Sequence, residues 1–430
     1  MTTGGAGHGG MTTLPDGYRL VDVGERREEF LDVDRLAFGF ASDPEVDAAV
    51  PVTLDWSRAV GVEGPDGRLA AVHASFPFAM PVPGGTVATA GLTWVGVRPD
   101  HRRRGLLSAM ITEHLDRTAR RGEPVSALFA AEAAIYGRFG YGGAADALHL
   151  TLPRGAALRP VPGSAELDLR LEPLDPAVHD DVVHAVHAAA GAGRPGWILR
   201  DTDVLRRRHL VDPPAWRQGG EPLRVVTVAD GRDVRGYALL RRVERWEDGR
   251  PRGAVRIREV AAVDAAAAHR LWSFLLDLDL TATVETGMLA VDDALPHLLV
   301  DPRAATSRLQ DNLWVRIVDL PGALTARRYA AGFDVVLEVA DARRPSNAGR
   351  WRVRTEAPDV AGGHVAEVTR STDPADVTVD VRELGAALLG GRSLVAMQRA
   401  GLVTEHRPGS LAAVATAFGW PFAPVCSWGW

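Results

Sequence analysis

The stretch Val95-Gly96-Val97-Arg98-Pro99-Asp100-His101-Arg102-Arg103-Arg104-Gly105-Leu106-Leu107-Ser108 constrains this chain most, because it reads as a strand end, an Arg/Gly loop and the start of a helix. Such a junction is a phosphate cradle. Glycine lets the backbone approach a polyanion, the open amides of a helix's first turn point at it, and the helix dipole favours negative charge there. Two other cradles share this outline and fail on composition. The chain has no lysine, which a nucleotide-triphosphate P-loop needs, and the loop has one glycine where the dinucleotide fingerprint needs three. Leu106, Leu107, Met110, Ile111, His114 and Leu115 then follow at the spacing of one buried helical face. The competing reading is an exposed loop with solvated arginines.

Arg102-Arg103-Arg104-Gly105-Leu106-Leu107 after a Val-Gly-Val strand resembles the coenzyme A pyrophosphate loop of GCN5-related N-acetyltransferases, usually Gln/Arg-x-x-Gly-x-Gly/Ala. Leu107 departs from that form, since the last position is normally small. A leucine there is similar to the Eis (enhanced intracellular survival) branch of the family. A second motif follows a predicted strand over 125–130: Ala131-Glu132-Ala133-Ala134-Ile135-Tyr136-Gly137-Arg138-Phe139-Gly140-Tyr141 resembles the Tyr-x-x-x-Gly-Phe/Tyr segment that carries the acid in these enzymes. Tyr136 matches the acid and Tyr141 the aromatic slot; the plainer reading of Tyr136 is a core aromatic on a short helix.

Acetyl transfer to an amine needs such a group. The leaving thiolate has an ordinary pKa of about 8.5, and a phenol near about 10 can hydrogen-bond to it and supply its proton. The backbone amide of Val97 is expected to face the thioester oxygen, a donor aimed at developing negative charge. The single cysteine, Cys426, stands beside no strand-turn-helix nucleophile elbow, which argues against a covalent acyl-enzyme.

No Asp or Glu near either motif announces itself as the base. The chain stops at Ala423-Pro424-Val425-Cys426-Ser427-Trp428-Gly429-Trp430, an apolar ending unlike most tails. The resemblance implies that the terminal carboxylate, here of Trp430, enters the active site as proton acceptor. Its free pKa of about 3.5 would have to be raised by burial. The alternative is a tail docked only for packing.

The length of 430 residues predicts about two to four domains, and 46% hydrophobic residues are enough for real cores. A net charge of -6 gives no basic surface of the kind nucleic acid needs. One cysteine excludes an internal disulfide framework, and no signal peptide or long apolar run is visible. A cytoplasmic protein without nucleic-acid or membrane partners is expected.

Residues 1–13 read as a disordered lead, rich in Gly and Thr. A catalytic unit over 14–155 is expected to carry a helix over 26–38 and strands over 52–55, 69–76 and 91–97. A Pro/Gly-rich linker near 153–165 opens a second unit over 166–300, whose predicted strands at 223–228, 236–243 and 254–263 and helix at 265–276 repeat the order of the first. There Val263-Asp264-Ala265-Ala266 replaces the cradle, with no glycine and an aspartate that repels phosphate. The last unit, 310–430, alternates strands at 334–339, 351–355, 364–370 and 377–381 with helices at 382–389 and 410–418. The resemblance implies an α+β chain: two tandem acetyltransferase folds, the second degenerate, then a sterol-carrier-like domain. That last domain would deliver Trp430 to the first.

By the same resemblance, the protein is expected to be an acetyl-CoA-dependent N-acetyltransferase acting in a ternary complex, without a metal. Val95, Gly96 and Val97 would hold the pantetheine arm, Arg103, Arg104, Gly105, Leu106, Leu107 and Ser108 the pyrophosphate, and Ala131 and Glu132 would lie near the coenzyme. Tyr136 would be the acid and Trp430 the base. The implied acceptor is a small-molecule primary amine, an aminoglycoside acetylated at several positions, and the implied assembly a homo-hexamer. Asp43, Glu45 and Asp47 could supply charge to the pocket, and Phe38, Phe40, Trp56 and Trp94 its wall. A lysine or peptide acetyltransferase and a non-catalytic acyl-CoA or lipid binder are the rivals.

Overall fold

The structure is a computed structural model and describes residues 14–358 and 363–430. The expected lead at 1–13 lies outside the described residues. The first unit runs β1 Arg19–Asp22, α1 Arg27–Phe38, α2 Pro44–Ala49, β2 Val60–Glu63, β3 Leu69–Val82, β4 Gly85–Val97, α3 Leu106–Arg120, β5 Val125–Leu128, α4 Ala133–Tyr136 and β6 Gly142–Gly143. Leu106, Met110, Ile111 and Leu115 form the buried face of α3. The expected strand over 52–55 is instead a loop. Asp55 accepts a bond from the Ser57 amide and starts a single turn of 3-10 helix, and the strand that pairs with β1 and β3 is β2.

The second unit holds β7 Asp146–Pro153, β8 Asp168–Pro173, α5 Pro176–Ala190, α6 Asp203–Leu210, β9 Arg224–Asp230, β10 Asp233–Val243, a small hairpin of β11 Trp246–Glu247 and β12 Arg250–Pro251, β13 Gly253–Ala262, α7 Ala265–Leu276, β14 Thr281–Leu289, β15 Thr306–Asp311 and β16 Trp314–Ile317. The first sheet takes one strand, β16, from the second unit. The first is ordered β1-β2-β3-β4-β5-β16-β6 and the second β15-β7-β14-β13-β10-β9-β8. The boundaries drawn at 155 and 310 therefore cut through both sheets, because β7 belongs to the second and β16 to the first. Asp264, in place of the cradle, caps α7 by accepting from the Ala267 amide and pairs with Arg235.

The last unit is a five-stranded sheet of β17 Asp334–Ala340, β18 Gly349–Pro358, β19 His364–Arg370, β20 Val377–Asp380 and β21 Val403–Glu405, ordered β19-β18-β17-β20-β21. Its core is continuous with that of the first sheet: Phe76, Phe78, Val125 and Val315 share one buried cluster with Leu384, Phe418 and Trp428. The fully buried Arg316 of β16 ties the two together, donating to the Phe139 carbonyl at 2.9 Å and to both carboxylate oxygens of Asp341 at 2.7 and 2.8 Å. A single nitrogen, Nη2, bridges both oxygens, and with Nη1 donating to the Ile317 carbonyl at 2.6 Å the buried cation is engaged on every side.

Candidate active site

β4 carries the centre of the site. Against β3 it has one extra residue, since Gly96 and Thr93 oppose Val72 and Ala74, and the bulge places Trp94 at φ +55°. Toward β5 its parallel pairing spans only Thr89–Gly91 against Val125–Ala127. Beyond Gly91 the two strands part, and the edge of β4 that leads through Val95, Gly96 and Val97 has no strand partner there among the described residues. Between them lies a cavity of about 390 Å³. An extended ligand carrying amides can pair with such an edge.

At the end of β4 the chain turns into α3. Gly105 sits at φ +82° with nothing within 4 Å of where a Cβ would be, so backbone conformation alone demands glycine. No side chain caps α3, and its first intrahelical bond is Ala109 amide to Gly105 carbonyl, which leaves the Leu106, Leu107 and Ser108 amides open. Leu106 is buried, and Leu107 is partly buried against the cluster that holds Leu106 and Met110. Arg103 is exposed, at φ +61° and without a partner among the described residues. Arg104 donates to the Tyr18 hydroxyl at 3.0 Å, and that hydroxyl bonds His101 Nδ1 at 2.8 Å. These residues fit a pyrophosphate.

Tyr136 ends the short helix α4 and is half-buried, its ring edge-on to Tyr141 at 5.9 Å between centroids. Burial, with the Glu132 carboxylate assisting, pushes its phenol up to about 12, so it is protonated at neutral pH. Tyr141 is fully buried beneath it; its hydroxyl bonds Ser126 Oγ at 2.8 Å, and Ser126 Oγ bonds His114 Nε2 at 2.7 Å. Trp430 packs edge-on to Phe78 and Phe129 at 4.9 and 4.8 Å. Tyr136 and Trp430 line the same cavity, together with Phe38, Trp94 and Asp311. Ala131 lines it too, while Glu132 is exposed beside it.

The terminal segment is held by the second unit. Asn312 bonds the Cys426 backbone twice, accepting from its amide at 2.8 Å and donating to its carbonyl at 3.0 Å. Ser427 Oγ lies 2.7 Å from His187 Nε2 and donates to Glu259 at 3.3 Å, and the Trp428 indole donates to the Ile198 carbonyl at 2.7 Å. Glu259 is buried at the hub, receiving both Arg200 nitrogens at 2.9 and 3.1 Å, His209 at 3.0 Å and the Tyr237 hydroxyl. Burial alone would raise its carboxyl, but Arg200 and His209 hold it well below the ordinary range. The Cys426 thiol is buried and pushed up to about 12 by that burial, which removes it as a nucleophile.

Residues 19–144 match the acetyltransferase (GNAT) domain model, residues 196–317 match a second model of that description, and residues 320–427 match the sterol carrier protein domain. An uncharacterized N-acetyltransferase of Streptomyces avermitilis is 40% identical, over 90% of this chain and 93% of its own. The N-acetyltransferase Eis of Mycobacterium tuberculosis is 35% identical over 76% of this chain and 77% of its own. The crystal structure of Eis1 from Mycobacterium abscessus superposes with a TM-score of 0.78 at 31% identity, covering 96% of this chain and all of that one. The chain belongs to the Eis family of GCN5-related N-acetyltransferases.

This Eis-family chain is thus an acyltransferase built of two GNAT domains and a sterol-carrier-like domain, and its GNAT fold implies acetyl-CoA as cosubstrate. No helix among the described residues is long and apolar enough to cross a membrane, and no group of three metal-ligating side chains is found among them. The expected pocket acids lie elsewhere. Asp43 accepts the Glu45 and Val46 amides at the start of α2, Asp47 pairs with Arg35, and Glu45 is exposed. Phe38 and Trp94 do line the cavity, whereas Trp56 packs on Phe30 and Phe40 is exposed. Sequence reasoning missed Asp311, which lines the cavity from the junction of the first two units and accepts the Trp314 indole at 2.7 Å. It also missed Asn312 and Glu259, the anchors of the tail; the one signal is that Glu259 shares the inward-facing parity of Val255 and Ile257 along β13.

Proposed function

We propose that this enzyme transfers the acetyl group of acetyl-CoA directly to a primary amine, with Tyr136 as acid and the Trp430 carboxylate as base. The observation that carries the reading is the single cavity lined by both residues, opening along the unpaired edge of β4. The amine nitrogen attacks the thioester carbonyl and gives up its proton to the carboxylate. The C–S bond breaks, and the phenol, kept protonated by burial, supplies the proton of the free thiol. The β4 edge holds the pantetheine arm and the Arg103-to-Ser108 loop holds the pyrophosphate. Holding both reactants in one site is itself a large part of the rate.

The aminoglycoside expectation rests on the family resemblance, and one lining carboxylate, Asp311, speaks for a cation at this cavity. A homo-hexamer is proposed on the same footing and is tested by light scattering. The direct test of the chemistry is thiol release from acetyl-CoA with benzylamine and with kanamycin, in wild type, Tyr136→Phe and a chain extended beyond Trp430. Loss of release in both variants supports the mechanism. Equal rates in all three overturn it, and no release from wild type with either amine favours the non-catalytic acyl-CoA binder.

A further inference from the structure

A second cavity, of about 310 Å³, adjoins the first at Met288 and Trp430, which line both. Its lining includes Arg208, Arg258, His209, Trp216 and Trp428, and it has no Asp or Glu. Trp430 also lines it, but its carboxylate belongs to the chemistry proposed above, and the other acids nearby are already committed. Glu259 is buried and taken by Arg200, His209, Tyr237 and Ser427. Asp212 receives Arg241 at 2.6 Å, Arg217 at 3.1 Å and the Leu223 amide at 2.9 Å, leaving Arg258 only a 3.8 Å approach. Arg258 otherwise donates through one nitrogen to the His209 and Val211 carbonyls, both at 3.0 Å.

Arg208 is the more telling of the two. It is half-buried, its guanidinium lies 5.8 Å from the centre of the Trp216 ring, and no carboxylate pairs with it among the described residues. Guanidinium in a partly desolvated cleft is unfavourable until an anion meets it, and burial pulls Arg208 below its ordinary pKa. His209 is held down by burial as well, so it adds no charge of its own at neutral pH. The cavity is thus lined by cationic and aromatic side chains together.

Resting on the acetyl-transfer reading above, we infer that the acceptor amine carries a carboxylate or phosphate on an aromatic or apolar body. Arg208 and Arg258 receive the anion, Trp216 and Trp428 flank the body, and the amine reaches past Trp430 toward Tyr136. A polycation would put its surplus ammonium groups against two guanidiniums at low dielectric, where like charges repel strongly. This site selects among amines and takes no part in the chemical step.

The experiment measures kcat/KM for benzylamine, 4-(aminomethyl)benzoate, 4-(aminomethyl)phenyl phosphate and kanamycin, in wild type and in Arg208→Gln and Arg208→Glu of confirmed thermal midpoint. At least one anionic amine should exceed benzylamine by tenfold or more in wild type, and which one does so tells carboxylate from phosphate. The ratio should fall about tenfold in Arg208→Gln and drop below one in Arg208→Glu. Benzylamine or kanamycin equalling or exceeding both anionic amines, or a ratio unmoved by Arg208→Glu, overturns the inference. Calorimetric binding of the product 4-(acetamidomethyl)benzoate provides a readout without turnover: at least tenfold weaker binding in Arg208→Glu supports it, and equal binding overturns it. Failure of every amine to release thiol sinks the acetyl-transfer reading instead, leaving the product-binding result to decide the charge preference.

Discussion

Gly91 lies directly under the terminal indole: a methyl group added to it would sit 3.2 Å from Trp430 Nε1 and 2.5 Å from Phe78 Cε2. The last residue at which β4 still pairs with β5 is thus the floor on which Trp430 rests. Gly91→Ala should force Phe78 and Trp430 aside, destabilising the fold by about 1–3 kcal/mol, as overpacking does. The expected kinetic result is a fall of at least tenfold in kcat with the KM for acetyl-CoA nearly unchanged. Steady-state kinetics on a variant with a measured thermal midpoint checks this, and an unchanged kcat would show that Trp430 does not need this seat.

Tyr136→Phe removes the proposed proton donor and keeps the ring against Tyr141. A loss of about 10²–10⁴ in kcat is expected, the usual worth of a positioned acid, with coenzyme binding preserved. Because the phenol is pushed up to about 12, its ionisation should leave no basic limb at ordinary assay pH. A limb with a midpoint below about 10, absent from Tyr136→Phe, would contradict the raised phenol.

Stability should decline on the acid side well before the carboxylates titrate. Burial pulls His73 and His187 down to about 3 and His114 well below its ordinary value. The unfolded chain accepts a proton on each from about pH 6.5 downward, whereas the folded chain refuses it, so stability is full above that pH and is lost as pH falls toward 3. Each such histidine contributes up to about 1.4 kcal/mol per pH unit in that window. Urea midpoints at pH 7.5, 6.5 and 5.5 should fall steadily across the last interval. Replacement of His73 by Gln should flatten its share of the slope.

Gly105→Ala tests the cradle separately from the chemistry. The added methyl meets nothing, so the cost is the left-handed backbone alone, about 1–2 kcal/mol. Relieving that strain would tilt the open amides of Leu106, Leu107 and Ser108. A several-fold rise in the KM for acetyl-CoA at similar kcat is the expected outcome. A drop in kcat at unchanged KM would place this loop in the chemical step.

What the sequence made legible was local. The loop around Gly105 and the Tyr136 segment each fit within about fifteen residues, and glycine, arginine and aromatic spacing suffices to read them. In the second unit β9, β10, β13 and α7 were readable for the same reason, since alternation and helical spacing are short-range, while β8, α5, α6 and β14 were not foreseen. The stretch at 52–55 misled because apolar residues beside a proline look like a strand, while the capping bond from Ser57 to Asp55 that turns the chain is a single contact. Trp430 as base came from resemblance alone. The cavity walls were out of reach: Asp311, Met288, Arg208 and Trp94 stand on four separate elements, with Trp94 and Asp311 on the first cavity, Arg208 on the second and Met288 on both.

The loan of β16 to the first sheet bears on how the protein can be made. β5, the buried strand Val125–Leu128, finds its second neighbour only in Trp314–Ile317. On the ribosome, nearly two hundred residues must be synthesised before that neighbour emerges, and until then an apolar edge stands open to unwanted pairing. A fragment cut at the apparent end of the first unit keeps the Gly105 loop and Tyr136 yet lacks the strand that closes their sheet. The first unit of this enzyme is therefore a dependent of its own translation partner downstream, and the smallest piece worth expressing extends past Ile317.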